Sequence, residues 1–167
     1  MVNFRLGGGW IKVRMPGVGC VQFLTKTDFR LNLKCMMDII DFLRYNDIQP
    51  TPQRIAVAEF ILGSKTHPSA DEVFAMVRQT CPTVSRATVY NTLNLLVEKG
   101  LIRQQVLREG TIIFDSHVDA HHHFVDEETG DIYDVPWDAV QVSGADKLAG
   151  FEVHEFQVVM RGRLRAK

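Results

Sequence analysis

Ser85-Arg86-Ala87-Thr88-Val89-Tyr90-Asn91-Thr92-Leu93 decides the fold. Ser85 is a residue type whose side-chain oxygen caps helix N-termini, and Val89, Leu93, Leu96 and Val97 follow at helical spacing as an inward stripe that stops at Gly100. Arg86, Thr88, Tyr90, Asn91 and Asn94 are left on the opposite face. A charge, hydrogen-bonding groups and an aromatic ring there suit phosphate oxygens, base edges and thymine methyls. A solvated face of an ordinary helix is the alternative, but Tyr90 gains little from exposure unless it touches something.

Upstream, Thr51-Pro52 reads as an N-cap followed by proline at the first helical position, with Ile55, Ala58, Ile61 and Leu62 as the apolar stripe and Gly63 as the stop. Ser69-Ala70-Asp71-Glu72 is a capping box opening a helix whose inner face is Val73, Phe74 and Val77, closed by Cys81-Pro82. Downstream, Leu101 to Val106 and Thr111 to Phe114 have strand character around the turn Arg108-Glu109-Gly110. Helix, short connection, helix and β-ribbon is the order of a winged helix-turn-helix, whose last helix enters the major groove while the ribbon flanks it. The predicted winged-helix domain covers residues 36–114.

Residues 115–167 carry a second pattern. His121 and His123 lie two apart, so a strand over this stretch turns both imidazoles to one face. Glu127-Glu128-Thr129-Gly130 reads as a turn and Asp131 to Val135 as the return strand. Pairing Asp126 with Asp131 sets His123 directly opposite Asp134. Imidazole nitrogens and carboxylate oxygens without thiolate suit Fe(II) or Mn(II) better than a structural tetrahedral zinc, although Zn(II) competes in vitro. An exposed polar strand is the alternative reading of this segment alone.

Taken together, Thr51-Pro52-Gln53-Arg54, His67-Pro68-Ser69-Ala70-Asp71-Glu72-Val73, Ser85 to Leu93, and Phe114-Asp115 before the histidine cluster resemble the ferric uptake regulator family of metal-dependent repressors. The resemblance covers residues 37–162. It implies an α+β fold: an N-terminal winged helix-turn-helix followed by a small α/β dimerisation domain, with a regulatory metal between them. By resemblance the metal ligands fall on His67, Asp115, His121, His123 and Asp134. The outward face of the last helix and the local basic patch give Arg54, Ser85, Arg86, Thr88, Tyr90 and Asn91 as the candidate DNA contacts. Aspartate rather than glutamate at position 134 resembles the peroxide-sensing branch, in which Fe(II) reduces hydrogen peroxide and a ligating histidine is oxidised. His67 and His121 are the oxidation-sensitive positions by that analogy. An iron- or manganese-responsive repressor of metal uptake is the alternative within the family.

The pattern departs from the family where most members place two Cys-x-x-Cys pairs for a structural zinc. Asp126 and Thr129 stand at the first pair, and only Arg163-Leu164-Arg165-Ala166-Lys167 follows Gly162, so no structural zinc held by four cysteines is expected. Dimer stability is then assigned to apolar packing, with Phe151, Val153, Phe156, Val158 and Met160 read as a terminal strand set. His122 and His154 are read as exposed or supporting residues.

Composition is compatible with two small cores: 167 residues, 46% hydrophobic, and three cysteines, Cys20, Cys35 and Cys81, whose odd number suits a reducing cytoplasm. The sequence contains no long apolar run, so no membrane association is expected. Net charge is +5 over residues 1–35, −1 over 36–115 and −5 over 116–167. DNA contact must come from a local patch, with Lys99 and Arg108 as further candidates, on a homodimer reading a pseudopalindromic operator in double-stranded DNA. Residues 1–35 precede the resemblance and are read as a disordered extension or an upstream-start artefact, with a functional basic arm as the alternative. Two other classes compete: a small non-haem metalloenzyme, which lacks a further acid, base or nucleophile near the ligands, and a metal-independent winged-helix protein.

Overall fold

The computed structural model describes residues 2–6, 9–13, 38–108, 110–144 and 150–165. The chain parts into two units, Met1–Cys35 and Met36–Lys167. In the first, β1 (Val2–Leu6) and β2 (Gly9–Val13) pair antiparallel, with Leu6 opposite Gly9. The expectation of a disordered or artefactual extension otherwise lies outside the described residues.

The second unit opens with four helices, α1 (Ile39–Tyr45), α2 (Pro52–Gly63), α3 (Ala70–Thr80) and α4 (Arg86–Glu98). Each of the last three begins where the sequence supplies a capping oxygen. Thr51 Oγ1 accepts from the Arg54 N–H at 3.3 Å and Ser85 Oγ from the Thr88 N–H at 3.1 Å. Ser69 and Glu72 satisfy each other's backbone N–H groups, at 3.3 and 2.6 Å. Each such cap is worth about 1 kcal/mol. The buried faces converge in one core around Leu43, Ile61, Val73, Val89, Leu93 and Leu96.

β3 (Arg103–Arg108) and β4 (Thr111–Asp115) form the antiparallel ribbon after α4, and Gly110 takes the positive φ of +67° that its turn needs. The strand starts two residues later than its apolar pattern predicts. Leu101 and Ile102 are buried in the helical core instead of pairing in the ribbon.

The second sheet has the order β6-β5-β7, with β5 (His121–Asp126) in the middle, antiparallel to β6 (Ile132–Pro136) and parallel to β7 (Val159–Gly162). The Asp126 N–H donates to Asp131 O at 2.9 Å across the turn, Gly130 sits at φ +77°, and His123 faces Asp134 in the ladder. Two expectations fail here. His122 is fully buried, its ring against Trp137 and its Nδ1 accepting from the Val158 N–H. The terminal strand spans only Val159–Gly162, with Phe151 77% and Val153 42% exposed. Phe151 and Val153 are odd-numbered whereas Phe156, Val158 and Met160 are even, so one continuous strand would turn the two sets to opposite faces.

Ribbon and sheet meet through a small second core of Leu107, Ile113, Val125 and Ile132. Arg161 Nη2 donates to Leu107 O at 2.9 Å, and Arg103 pairs with Glu155 at 2.5 Å. The winged helix and the second sheet together make the fold α+β.

Candidate metal centre at the junction

His67 lies in the loop between α2 and α3, far before His121 in the chain, and three contacts sew that loop to β4. The Phe114 N–H donates to Pro68 O at 2.9 Å, Ser69 bridges Ile113, and Ser116 Oγ donates to Ser64 O at 2.9 Å. This carries His67 to the end of β4, where Asp115 points, and against the face of β5 that holds His121 and His123. His67, His121, His123 and Asp134 each offer one ligand atom, and these atoms all lie within 4.8 Å of one another. The Nε2 atoms of His121 and His123 are 2.9 Å apart, and those of His123 and His67 are 3.2 Å apart. Asp134 Oδ1 stands 2.8 Å from His67 Nε2, and Asp115 Oδ2 stands 3.0 Å from His121 Nε2. All five expected ligands are therefore brought together.

The orientations are fixed from outside. His121 Nδ1 donates to Asp119 O at 2.8 Å, which leaves its Nε2 lone pair facing the cluster when the ring is neutral. His123 Nδ1 meets the Gln157 side-chain amide at 3.0 Å. Ring-nitrogen lone pairs this close repel unless a proton or a cation lies among them. Asp115 Oδ2 is buried without hydrogen-bond geometry to any donor, which is costly unless positive charge faces it. Donors about 2.1 Å from a central divalent ion stand about 3 Å apart at right angles, which is the spacing of the closest pairs here. Nitrogen and oxygen donors at that spacing fit a divalent transition-metal ion.

The electrostatics follow from burial and mutual charge. Burial pushes the His67 imidazole below its ordinary pKa, more than the nearby Asp115 and Asp134 carboxylates raise it. Burial also opposes ionisation of Asp115, but the facing His121 and His123, the His117 N–H and His67 outweigh it and hold its carboxyl well below the usual range. His121 goes the other way. Burial lowers it, but Asp115, the Asp119 carbonyl and Asp134 together leave it raised.

Two residues that the sequence reading missed belong to this site. Gln157 holds His123, and His117 stacks flat on His121 with ring centroids 4.3 Å apart and planes 3° apart. Neither shows a metal-ligand spacing, and their roles depend on partners 34 and 17 residues away, His123 and Asp134. His122, the third histidine of the run, faces away from the cluster: its Nδ1 accepts from the Val158 N–H at 3.2 Å and its ring stacks on Trp137 at 4.5 Å.

On the face of α4 away from the core, Arg86, Asn91 and Asn94 are exposed and Tyr90 is 44% exposed, while Thr88 is half-buried. Ser85 and Thr88 join their hydroxyls at 2.9 Å. Arg86 lies over the Phe74 ring at 4.7 Å and pairs with Asp71. Arg54 is half-buried and donates to Gln49 O at 3.2 Å. Lys99 reaches Asp47 at 3.7 Å. The Arg108 side chain lies outside the described residues. Where a Cys-x-x-Cys pair would stand, Asp126 accepts from the Glu128 N–H at 2.9 Å and Thr129 Oγ1 from the Asp131 N–H at 3.2 Å, so both serve the turn.

A winged helix-turn-helix joined to a small sheet, with a nitrogen and oxygen donor cluster at the seam, defines the class of metal-responsive winged-helix regulators. The model of the ferric uptake regulator family matches residues 45–161, and the chain belongs to that family. It is 35% identical over 97 residues to the peroxide-responsive repressor PerR of Staphylococcus saprophyticus, an alignment covering 58% of this chain and 66% of that protein, just under two thirds. The peroxide stress regulator of Campylobacter jejuni, 27% identical, superposes with a TM-score of 0.58 over 78% of this chain and 99% of that one. The ferric uptake regulator of Vibrio cholerae, at 20% identity and a TM-score of 0.62, covers 76% of this chain and all of that one and shares the fold.

Proposed function

We propose that the chain is a metal-dependent transcriptional repressor that binds double-stranded DNA and releases it in response to hydrogen peroxide. The observation that carries this reading is the approach of His67 to within 3.2 Å of His123, joining the helical half to the sheet through one cluster of donors. His67, Asp115, His121, His123 and Asp134 are the ligands in this reading, and Fe(II) or Mn(II) is the regulatory ion. Fe(II) held there would supply the electrons that reduce hydrogen peroxide, and His67 and His121 are the side chains that would take up oxygen by family analogy, whereas Mn(II) would be inert to peroxide.

The protein's own part is geometric. His67 can reach the cluster only when its loop lies against β4, and His121, His123 and Asp134 reach it only from the sheet. Filling the cluster therefore favours one orientation of α4 relative to the sheet. A ligand shifts such an equilibrium only by its differential affinity for the two arrangements, and donors split between two parts have that differential built in. An imidazole that has gained oxygen is a weaker donor, so His67 or His121 so altered loosens the closed arrangement. Arg54, Ser85, Arg86, Thr88, Tyr90 and Asn91 form the DNA face. A homodimer would hold two α4 helices at the separation of two half-sites of a pseudopalindrome. As a DNA-binding regulator, the chain has its place in the cytoplasm.

The test is a DNA mobility shift with anaerobic Fe(II)- or Mn(II)-loaded protein before and after hydrogen peroxide, followed by peptide mass analysis. Loss of binding in the iron form alone, with added oxygen on the His67 or His121 peptide, is the expected result. Equal persistence of both complexes would make the chain an iron- or manganese-responsive repressor instead.

A further inference from the structure

One residue outside the ligand set touches both carboxylates of the cluster. The backbone N–H of His117 donates to Asp115 Oδ1 at 2.7 Å, and its ring Nδ1 lies 2.9 Å from Asp134 Oδ2. As donor on that side, Nδ1 leaves Nε2 pointing toward Asp119 Oδ2 at 4.0 Å. The two contacts take one oxygen of each carboxylate and leave the other for the imidazoles. Asp134 Oδ1 is 2.8 Å from His67 Nε2, and Asp115 Oδ2 is 3.0 Å from His121 Nε2 and 3.7 Å from His123 Nε2. The same ring lies flat against His121. Its place is also distinctive. His67, Asp115, His121 and His123 side chains are at most 4% exposed, whereas Asp134 is 35% and His117 41% exposed, so these last two bring the cluster to solvent.

We propose that the His117 side chain is a positioning group that confines Asp134 to binding the metal through a single oxygen, so that a coordination position stays free for a small exogenous ligand such as a peroxide; Asp115 Oδ1 is held by the backbone N–H of residue 117 whatever side chain stands there. The inference rests on the metal-site reading above. A carboxylate can bind a divalent ion through one oxygen or two, and the choice is set by what else its oxygens bond. Five donors offering one atom each would give a five-coordinate ion whose sixth position is open to an exogenous ligand. If Asp134 Oδ2 is released, it can swing onto the ion and occupy that position. His117 also covers one face of the His121 ring, so its loss opens that imidazole to solvent.

The experiment uses the full chain loaded with Co(II), whose visible absorption is stronger in five-coordinate than in six-coordinate sites, and azide as the exogenous ligand. Wild type, His117→Ala and His117→Asn are compared, with His123→Ala as the control that removes a ligand; the Asn amide retains a donor able to reach Asp134 Oδ2. In His117→Ala the Co(II) bands are expected to weaken and azide affinity to fall by about tenfold or more, the scale of outer-shell substitutions at metal sites. His117→Asn should recover most of both. Because His117 is exposed, thermal melting of the apo variants should match wild type, which separates positioning from damage to the fold. Unchanged bands and azide affinity in His117→Ala, with Co(II) bound, would overturn the role of His117 and leave the metal site standing. Failure of wild type to bind Co(II), or binding that His123→Ala leaves intact, would overturn the site itself and this inference with it.

Discussion

Replacing His67 with alanine should separate metal binding from metal-driven DNA binding. His67 is the donor that reaches the cluster through space from the helical half, and its side chain is 3% exposed with Nε2 2.8 Å from Asp134 Oδ1 and 3.2 Å from His123 Nε2. Wild-type protein at a Mn(II) concentration of about 100 times its dissociation constant gains about 2.7 kcal/mol. For a folded unit of about 130 residues, with an unfolding entropy near 2.1 cal/mol/K per residue, that is a rise of about 10 °C in melting temperature. Losing one of five donors costs at least the 10- to 100-fold that lost supporting residues cost. At the upper figure the gain drops to about 0.4 kcal/mol, or roughly 1–2 °C. Raising Mn(II) until the variant is saturated should bring the thermal shift back. It should not restore DNA affinity, because no donor from among the helices remains and Asp115, at the end of β4, is the one donor left outside the second sheet. Metal-to-DNA coupling, typically about 5- to 150-fold, should fall to near unity in a mobility shift or anisotropy titration. The reasoning fails if manganese-saturated His67→Ala binds operator as tightly as manganese-loaded wild type, since the metal would then act from within the sheet alone.

Three further outcomes are expected. Gln157→Ala removes the partner of His123 Nδ1 and should weaken Mn(II) about 10- to 100-fold by competition with a chelating dye while leaving apo melting nearly unchanged; an unaltered Mn(II) affinity would remove Gln157 from the site. The raised pKa of His121 means that it still carries a proton at its ordinary value of 6.5, so Mn(II) affinity should keep climbing with pH above that point as the proton is displaced. In the apo protein the sign reverses: the stability from protonated His121 is full below pH 6.5 and lost as pH rises through the raised pKa, while that from His67 and Asp115, both lowered, is lost on acidification. A Mn(II) affinity already level at pH 6.5 would contradict this. Ser69→Ala opens the capping box of α3 and should cost about 1 kcal/mol in urea unfolding, with a near-zero cost showing that the Pro68 and Ile113 contacts alone hold the loop.

Local chemistry made much of this legible. Thr51, Ser69 and Ser85 each cap the helix expected of them, since a capping oxygen acts within three residues of itself. The facing of His123 and Asp134 follows from a period of two carried around a turn that begins at Asp126. The approach of His67 is of another kind. It depends on the Pro68 to Phe114 hydrogen bond, a long-range pairing that no local periodicity encodes, so only family resemblance put His67 in the set. His117 escaped notice for the same reason: between Asp115 and Asp119 it reads as a polar loop residue until β6 brings Asp134 beside it. His122 misled in the other direction, because a histidine run looks solvated until Trp137 and Val158, from later in the chain, close over its ring.

The seam between ribbon and sheet explains why a metal can govern the arrangement at all. Four buried side chains, Leu107, Ile113, Val125 and Ile132, join the two parts, whereas the helical core holds more than a dozen. Burying one such side chain fully is worth about 1.5–3 kcal/mol, and part of that survives on either side when the parts separate. The seam therefore contributes only a few kcal/mol to the closed form, supplemented by the exposed Arg103–Glu155 pair and one hydrogen bond from Arg161. Moving a two-state equilibrium from 1:99 to 99:1 takes about 5.5 kcal/mol of differential binding. Multidentate metal binding, at about 10–16 kcal/mol in structural zinc sites, can supply that, whereas a seam as large as a full domain core would keep the two parts closed without metal. Enlarging the seam pushes the same way as metal: Val125→Ile adds one methylene, about 0.8 kcal/mol, and should strengthen DNA binding by the metal-free protein about fourfold in a mobility shift, while no change would remove the seam from the switch.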